Sequence, residues 1–147
     1  MRISAKSRYA LAALILMGQT KSLDETVTIL SMSERLGISK IYLEQVFSLL
    51  RRAKIVVSSK GSQGGYQLAR PLEDISVYDI LSSIEISLFE VTGKTVEDKA
   101  PNIESVLQND VFCELDRKIP EILKKIKLDS LVTKAAQYGG NSYMYYL

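Results

Sequence analysis

The apolar residues of this chain come in blocks of helical spacing, parted by short polar or glycine-bearing breaks. Ser4 is a good N-cap, and the run behind it predicts a first helix to Met17, closed by Gly18, with Tyr9, Ala13, Leu14 and Met17 as its buried stripe. Thr26, Val27 and Thr28 favour a short extended piece. Thr28 then caps a second helix over Ile29 to Leu36, ended by Gly37. After Ile38, Ser39 caps a third helix through about Ala53, with Tyr42, Leu43, Val46, Phe47, Leu49 and Leu50 wrapping much of its surface. Two helices joined by a glycine turn make the helix-turn-helix arrangement, although many helical proteins contain such a corner.

The period then switches from helical to extended. Ile55-Val56-Val57-Ser58-Ser59 reads as a strand, Lys60-Gly61-Ser62-Gln63-Gly64-Gly65 as a turn, and Tyr66-Gln67-Leu68-Ala69 as the return strand, ended by Arg70-Pro71. Behind two helices, this hairpin reads as a wing. Its glycines permit positive φ and a close backbone approach to phosphate, and Lys60 at the tip can reach a minor groove. A plain surface hairpin with a solvated lysine is the alternative.

Beyond Pro71, Ser76 caps a short helix over Val77 to Glu85, with Ile80, Leu81 and Ile84 inward. Residues 86–101 show no periodicity and read as a connecting loop. From Asn102 to Lys127, the apolar residues Ile103, Leu107, Val111, Leu115, Ile119, Ile122 and Ile126 recur every three or four positions. Unbroken, such a helix is about 39 Å long, more than a compact head needs, so the stripe is expected to meet a second copy in a dimer or to fold back onto its own head. Pro120 predicts a bend near Ile119. Asp129 or Ser130 caps a last helix to about Tyr138, and Gly139-Gly140 is expected to release an extended tail from Asn141 to Leu147.

Charge divides the chain. Residues 1–70 hold 11 Lys and Arg against 4 Asp and Glu, a surplus of +7, whereas residues 71–147 hold 8 against 13, or −5, for a total of +2. A basic first half suits a polyanion, whose counterions are released on contact, unless the asymmetry is chance. One cysteine, Cys113, excludes an internal disulfide framework and a multi-cysteine metal site within one chain. With no histidine, the commonest general acid-base and metal ligand are both missing, and no telling carboxylate pair replaces them, which argues against an enzyme. The basic start and apolar run of residues 1–17 faintly imitate a signal peptide, but no small-x-small cleavage pattern follows and no run reaches a membrane span, so a cytoplasmic protein without membrane partners is expected.

Ser39-Lys40-Ile41-Tyr42-Leu43-Glu44-Gln45, followed by Lys60-Gly61 and Gly64-Gly65-Tyr66, resembles the winged-helix regulators typified by IscR, NsrR and CymR. The resemblance covers residues 1–85, with Met1-Arg2-Ile3-Ser4 and Arg8-Tyr9, and continues more loosely through residues 126–131. It implies a mostly α fold: a winged helix-turn-helix head over 1–85 with a small β-hairpin wing, a connecting loop over 86–101, long dimerisation helices over 102–138 and a tail over 139–147. It also implies a homodimeric repressor on double-stranded DNA. Its third helix would enter the major groove and its wing would lie over the adjacent minor groove, with Arg2, Ser39, Lys40, Tyr42, Glu44, Gln45, Arg51, Arg52, Lys60, Gly61, Gly64 and Gly65 facing DNA.

Glu44 can accept from cytosine N4 and Gln45 can pair with adenine, although both types also serve simply as solvated surface. Arg51, Arg52 and Lys54 suit phosphate better than bases. Family members often carry arginine at the wing tip, and Lys60 here, a more hydrated point charge, is less suited to reading a narrow minor groove. Members with an iron–sulfur cluster place three cysteines before the long helix, and residues 86–101 contain none. The resemblance is therefore to the cluster-free CymR branch, which implies no cofactor and genes of cysteine and sulfur metabolism. Cys113 on the long helix reads as a small buried thiol or, alternatively, a redox sensor. The end Tyr145-Tyr146-Leu147 resembles aromatic-aliphatic tails that plug cysteine synthase; packing of these tyrosines against the dimer is the other reading.

Overall fold

The structure is a computed structural model and describes residues 2–20, 24–61 and 64–145. Helix α1 spans Ala5–Gly18, α2 Ile29–Leu36 and α3 Lys40–Arg52; strands β1, Val56–Ser58, and β2, Tyr66–Leu68, form the hairpin, and α4 spans Val77–Ile84. A continuous helical stretch follows, made of α5 (Pro101–Val106), a π-helical segment Leu107–Phe112 and α6 (Cys113–Lys125), before α7 (Leu128–Tyr145). The protein is mostly helical with one two-stranded antiparallel sheet, Val56 facing Leu68 and Ser58 facing Tyr66. No helix of the described residues is long and apolar enough to cross a membrane.

The caps expected for the first four helices form. Ser4, Thr28 and Ser39 side chains accept from the backbone N–H three residues on, at 3.2, 3.1 and 3.3 Å. Ser76 goes further: its hydroxyl accepts from Asp79 N while Asp79 Oδ2 accepts from Ser76 N, a reciprocal pair that satisfies two amides. Helix α3 ends where expected, at Arg52 with Ala53 as its C-cap, through a capping motif that the sequence did not announce. Ile55 N donates to Leu50 O and Lys54 N to Arg51 O, both at 3.0 Å, the Schellman arrangement. Lys54 occupies its left-handed position at φ 59, where glycine is usual, and Leu50 and Ile55 meet in the core beneath it.

Helix α1 runs through the centre. Its Ala10, Ala13 and Leu14 and the α3 residues Leu43, Val46, Phe47 and Leu50 are all fully buried in one cluster, each large side chain contributing about 1.5–3 kcal/mol on removal from water. Leu128, at the start of α7, is fully buried in the same cluster, so the C-terminal helices share the head's core. The chain between α6 and α7 is latched to the head by an antiparallel bridge. In it, Val77 N donates to Ile126 O at 2.9 Å and Leu128 N to Ile75 O at 2.8 Å. Gly18 allows α7 to approach, since a Cβ there would lie 2.5 Å from Val132 Cγ2.

Pro120 lies inside α6, and a π-helical segment occupies 107–112; three expectations for the C-terminal half are corrected. Spacings of four from Ile103 to Ile119 drift by about 40° each in a regular α-helix, and a locally wider turn absorbs part of that drift. The stripe itself divides: Ile119 and Ile126 pack within the chain against Val77, Leu81 and Leu123. Helix α7 begins at Leu128 and continues through Gly139-Gly140 to Tyr145 instead of ending at Tyr138. Each glycine costs about 1 kcal/mol of helix propensity, which weakens a helix without terminating it. Tyr146 and Leu147 lie outside the described residues. Finally, Cys113 is exposed, not buried: residues 113–118, more than a full turn of α6, are all exposed, so this stretch of helix is not covered by the rest of the described chain.

Candidate nucleic-acid interface

Helix α3 is two-faced. Leu43, Val46, Phe47 and Leu50 anchor it, which leaves Lys40, Ile41, Glu44, Gln45, Ser48, Arg51 and Arg52 exposed on the opposite side. The spacing 41, 44, 45, 48 is that of neighbours on one helix face, and these four line a single open groove with Lys6 of α1 and Leu49. Lys6, Ile41 and Ser48 were not singled out from sequence, although the i, i+3, i+4, i+7 ridge through Glu44 and Gln45 passes through Ile41 and Ser48. Lys6 is placed there only by the packing of α1 on α3.

The remaining sequence candidates fall into different roles. Ser39 spends its hydroxyl oxygen on the α3 cap. Tyr42 stands half-exposed, its ring edge against Tyr9 of α1 at 5.8 Å between centroids. Arg51 and Arg52 close the last turn of α3, where a cation also complements the negative end of the helix dipole. Arg2 is exposed just ahead of α1.

The hairpin is fixed to α3 by Phe47 and Tyr66, whose rings lie 4.8 Å apart. It is fixed to the chain before α2 by a bridge in which Val27 N donates to Tyr66 O and Tyr66 N to Val27 O, both 2.9 Å. Lys60 and Gly61 are exposed at the turn. Gly65, at φ 138, has a structural reason to be glycine: a Cβ would collide with Thr26 and come within 2.9 Å of the Val27 carbonyl oxygen. Gly64, at φ 62, has open space around it.

Two carboxylates organise the frame. Glu85 at the end of α4 accepts from Ser4 N at 2.8 Å and Ser7 Oγ at 2.9 Å. These hydrogen bonds, Ser4 first, hold its pKa below the ordinary carboxylate value and tie α4 to the start of α1. Glu104, only 3% exposed, accepts from Val96 N at 2.8 Å, Gln108 Nε2 at 3.1 Å and Thr95 N at 3.0 Å. It is likewise held low by these bonds and clamps the connecting loop onto the long helix.

The Rrf2 family, described as iron-dependent transcriptional regulators, matches residues 3–134 of this chain. The transcriptional regulator IscR of Pectobacterium atrosepticum is 33% identical over 132 residues, 90% of this chain and 79% of that one. Among solved structures, CymR of B. subtilis, described as its global cysteine regulator, superposes with a TM-score of 0.72 at 27% identity over 91% of this chain and 98% of that one. IscR of T. potens gives 0.68 at 32% identity over 92% and 88%. The residues here do not fit an iron–sulfur cluster. The chain has one cysteine and no histidine, and among the described residues no three His, Cys, Asp or Glu are grouped to share a metal. The winged helix-turn-helix geometry and these likenesses agree, and the chain belongs to the Rrf2 family of transcriptional regulators.

Proposed function

We propose that this chain is a homodimeric repressor that binds a pseudopalindromic operator. Helix α3 lies in the major groove, with Lys40, Glu44 and Gln45 toward base edges, while Arg51, Arg52 and Lys54 neutralise phosphates and Lys60 and Gly61 lie over the minor groove. The observation that carries this reading is the solvent-exposed side of α3, where Lys40, Gln45, Arg51 and Arg52 stand free of the core in the half of the chain that holds the +7 surplus. Dimerisation is supported by a row of large apolar side chains on the helical stretch 101–125: Ile103, Val106, Val111, Leu115 and Ile122 are 40–59% exposed, an outlay that a second copy of the same helix relieves. Two heads so joined read half-sites one helical turn apart, about 34 Å. Genes of cysteine and sulfur metabolism are the proposed targets, on the likeness to B. subtilis CymR.

The test is a salt titration of the full chain on its own promoter fragment. Affinity is expected to fall linearly on a log-log scale, by about 0.9 per phosphate contact. No binding at low salt, or affinity indifferent to salt, overturns the reading. The target class is checked by transcript profiling of a deletion strain, where sulfur-assimilation transcripts are expected to rise. The exposure of Cys113 favours a second reading in which its thiol senses oxidants. On that reading, Cys113→Ser abolishes an oxidant response and leaves operator binding unchanged.

A further inference from the structure

Charge and hydrogen bonding leave one residue of the α3 outer face unaccounted for. Ile41 is 70% exposed, a large aliphatic side chain one residue into the helix, on the ridge that Glu44, Gln45 and Ser48 continue. Single exposed apolar residues are ordinary, so its exposure alone says nothing; its position does. The N-terminal turns of a reading helix are the part that meets base edges, and the neighbours of Ile41 on this ridge are polar.

We infer that Ile41 reads thymine, packing its side chain against the C5-methyl in the major groove, beside the base addressed by Glu44. This rests on the DNA-binding reading of α3 above and names one element of its specificity. The thymine methyl is the apolar feature of the major-groove edge pattern, and an aliphatic side chain is its chemical complement. A β-branched isoleucine suits the task because its χ1 is already restricted, so little rotamer freedom is lost on docking. Ile41 and Glu44 are about 4.5 Å apart along the helix axis, close enough for the two side chains to address neighbouring base pairs.

The experiment uses the full chain and an operator selected in vitro by that chain. Each thymine is replaced singly by uracil, which deletes the methyl and keeps the hydrogen-bonding edge. Wild-type protein is expected to lose about fourfold in affinity at one thymine of each half-site, the equivalent of roughly 0.8 kcal/mol for a buried methyl-sized group. Ile41→Ala, whose exposed site leaves the unfolding midpoint unchanged, is expected to bind thymine and uracil operators equally at that position. A uracil scan with no sensitive thymine, or the same loss in Ile41→Ala, overturns the inference while operator binding stands. Failure of the chain to select any sequence removes the DNA-binding reading and this one with it.

Discussion

Gly65→Ala separates two reasons for a glycine in the wing. One is room for a phosphate; the other is the bridge to Val27. A Cβ at position 65 meets Thr26 and the Val27 carbonyl, and φ 138 is a region that side chains avoid. Backbone strain of this kind costs about 1–3 kcal/mol. Relieving it by moving the strand breaks the two 2.9 Å hydrogen bonds between Val27 and Tyr66, each worth about 1 kcal/mol net. The expected loss is about 3 kcal/mol, a large share of the roughly 5–15 kcal/mol that holds a domain together. At about 2–4 °C per kcal/mol for a chain of this size, the midpoint falls by roughly 10 °C. Gly64→Ala is the control, since its φ of 62 is the milder left-handed region and nothing lies within 4 Å of the added carbon; it is expected to cost about 1 kcal/mol or less. Equilibrium urea unfolding of both variants decides the matter. Gly65→Ala matching Gly64→Ala in stability would refute the packing argument, and weaker operator binding at unchanged stability would restore phosphate access as the reason.

Other consequences are equally open to measurement. Lys54→Gly relieves the left-handed lysine at the end of α3 and is expected to raise stability by about 0.5–1 kcal/mol in urea unfolding; as a phosphate contact, its loss also lowers the salt slope by about 0.9. Glu104 and Glu85 have folded pKa values below the ordinary 4.5, so their contribution is complete above that value and is lost as pH falls through the folded value. The stability difference between wild type and Glu104→Gln is therefore expected to shrink on acidification below about pH 4.5, and parallel pH curves would contradict it. Leu115→Glu, at a 48% exposed position of the long helix, is expected to yield monomers by sedimentation velocity with an intact fold by circular dichroism, and a persistent dimer would exclude this face as the interface.

What was legible along the chain was local. A serine or threonine at an N-cap satisfies amides within its own first turn, so α1 to α4 could be placed from Ser4, Thr28, Ser39 and Ser76 without knowing what they pack against. The outer face of α3 was readable for the same reason: once Leu43, Val46, Phe47 and Leu50 are inward, the helical period alone puts Glu44 and Gln45 outward. The C-terminal half was less legible. Spacings of three and four identify a stripe but carry no information about which part meets the head, and it is the Val77–Ile126 latch that turns Ile119 and Ile126 inward and brings Leu123 into the core. Glycine pairs misled in the same way, because Gly139-Gly140 lowers helix propensity without preventing helix formation, whereas Gly18 and Gly65 matter through the atoms of Val132 and Val27.

Sequence by itself therefore determined the starts of α1 to α4, the hairpin, the division of charge and the single thiol, all of which depend on residues within a turn of one another or on simple counting. Only the tertiary structure decided that α7 closes the same core as α1 and α3, that Lys6 joins the α3 groove, that Cys113 faces solvent and that Gly65 is held by the chain before α2. The physical reason is range: a cap or a face is set by bonds spanning three or four residues, whereas these contacts join segments tens of residues apart, chosen by which surfaces can be buried together.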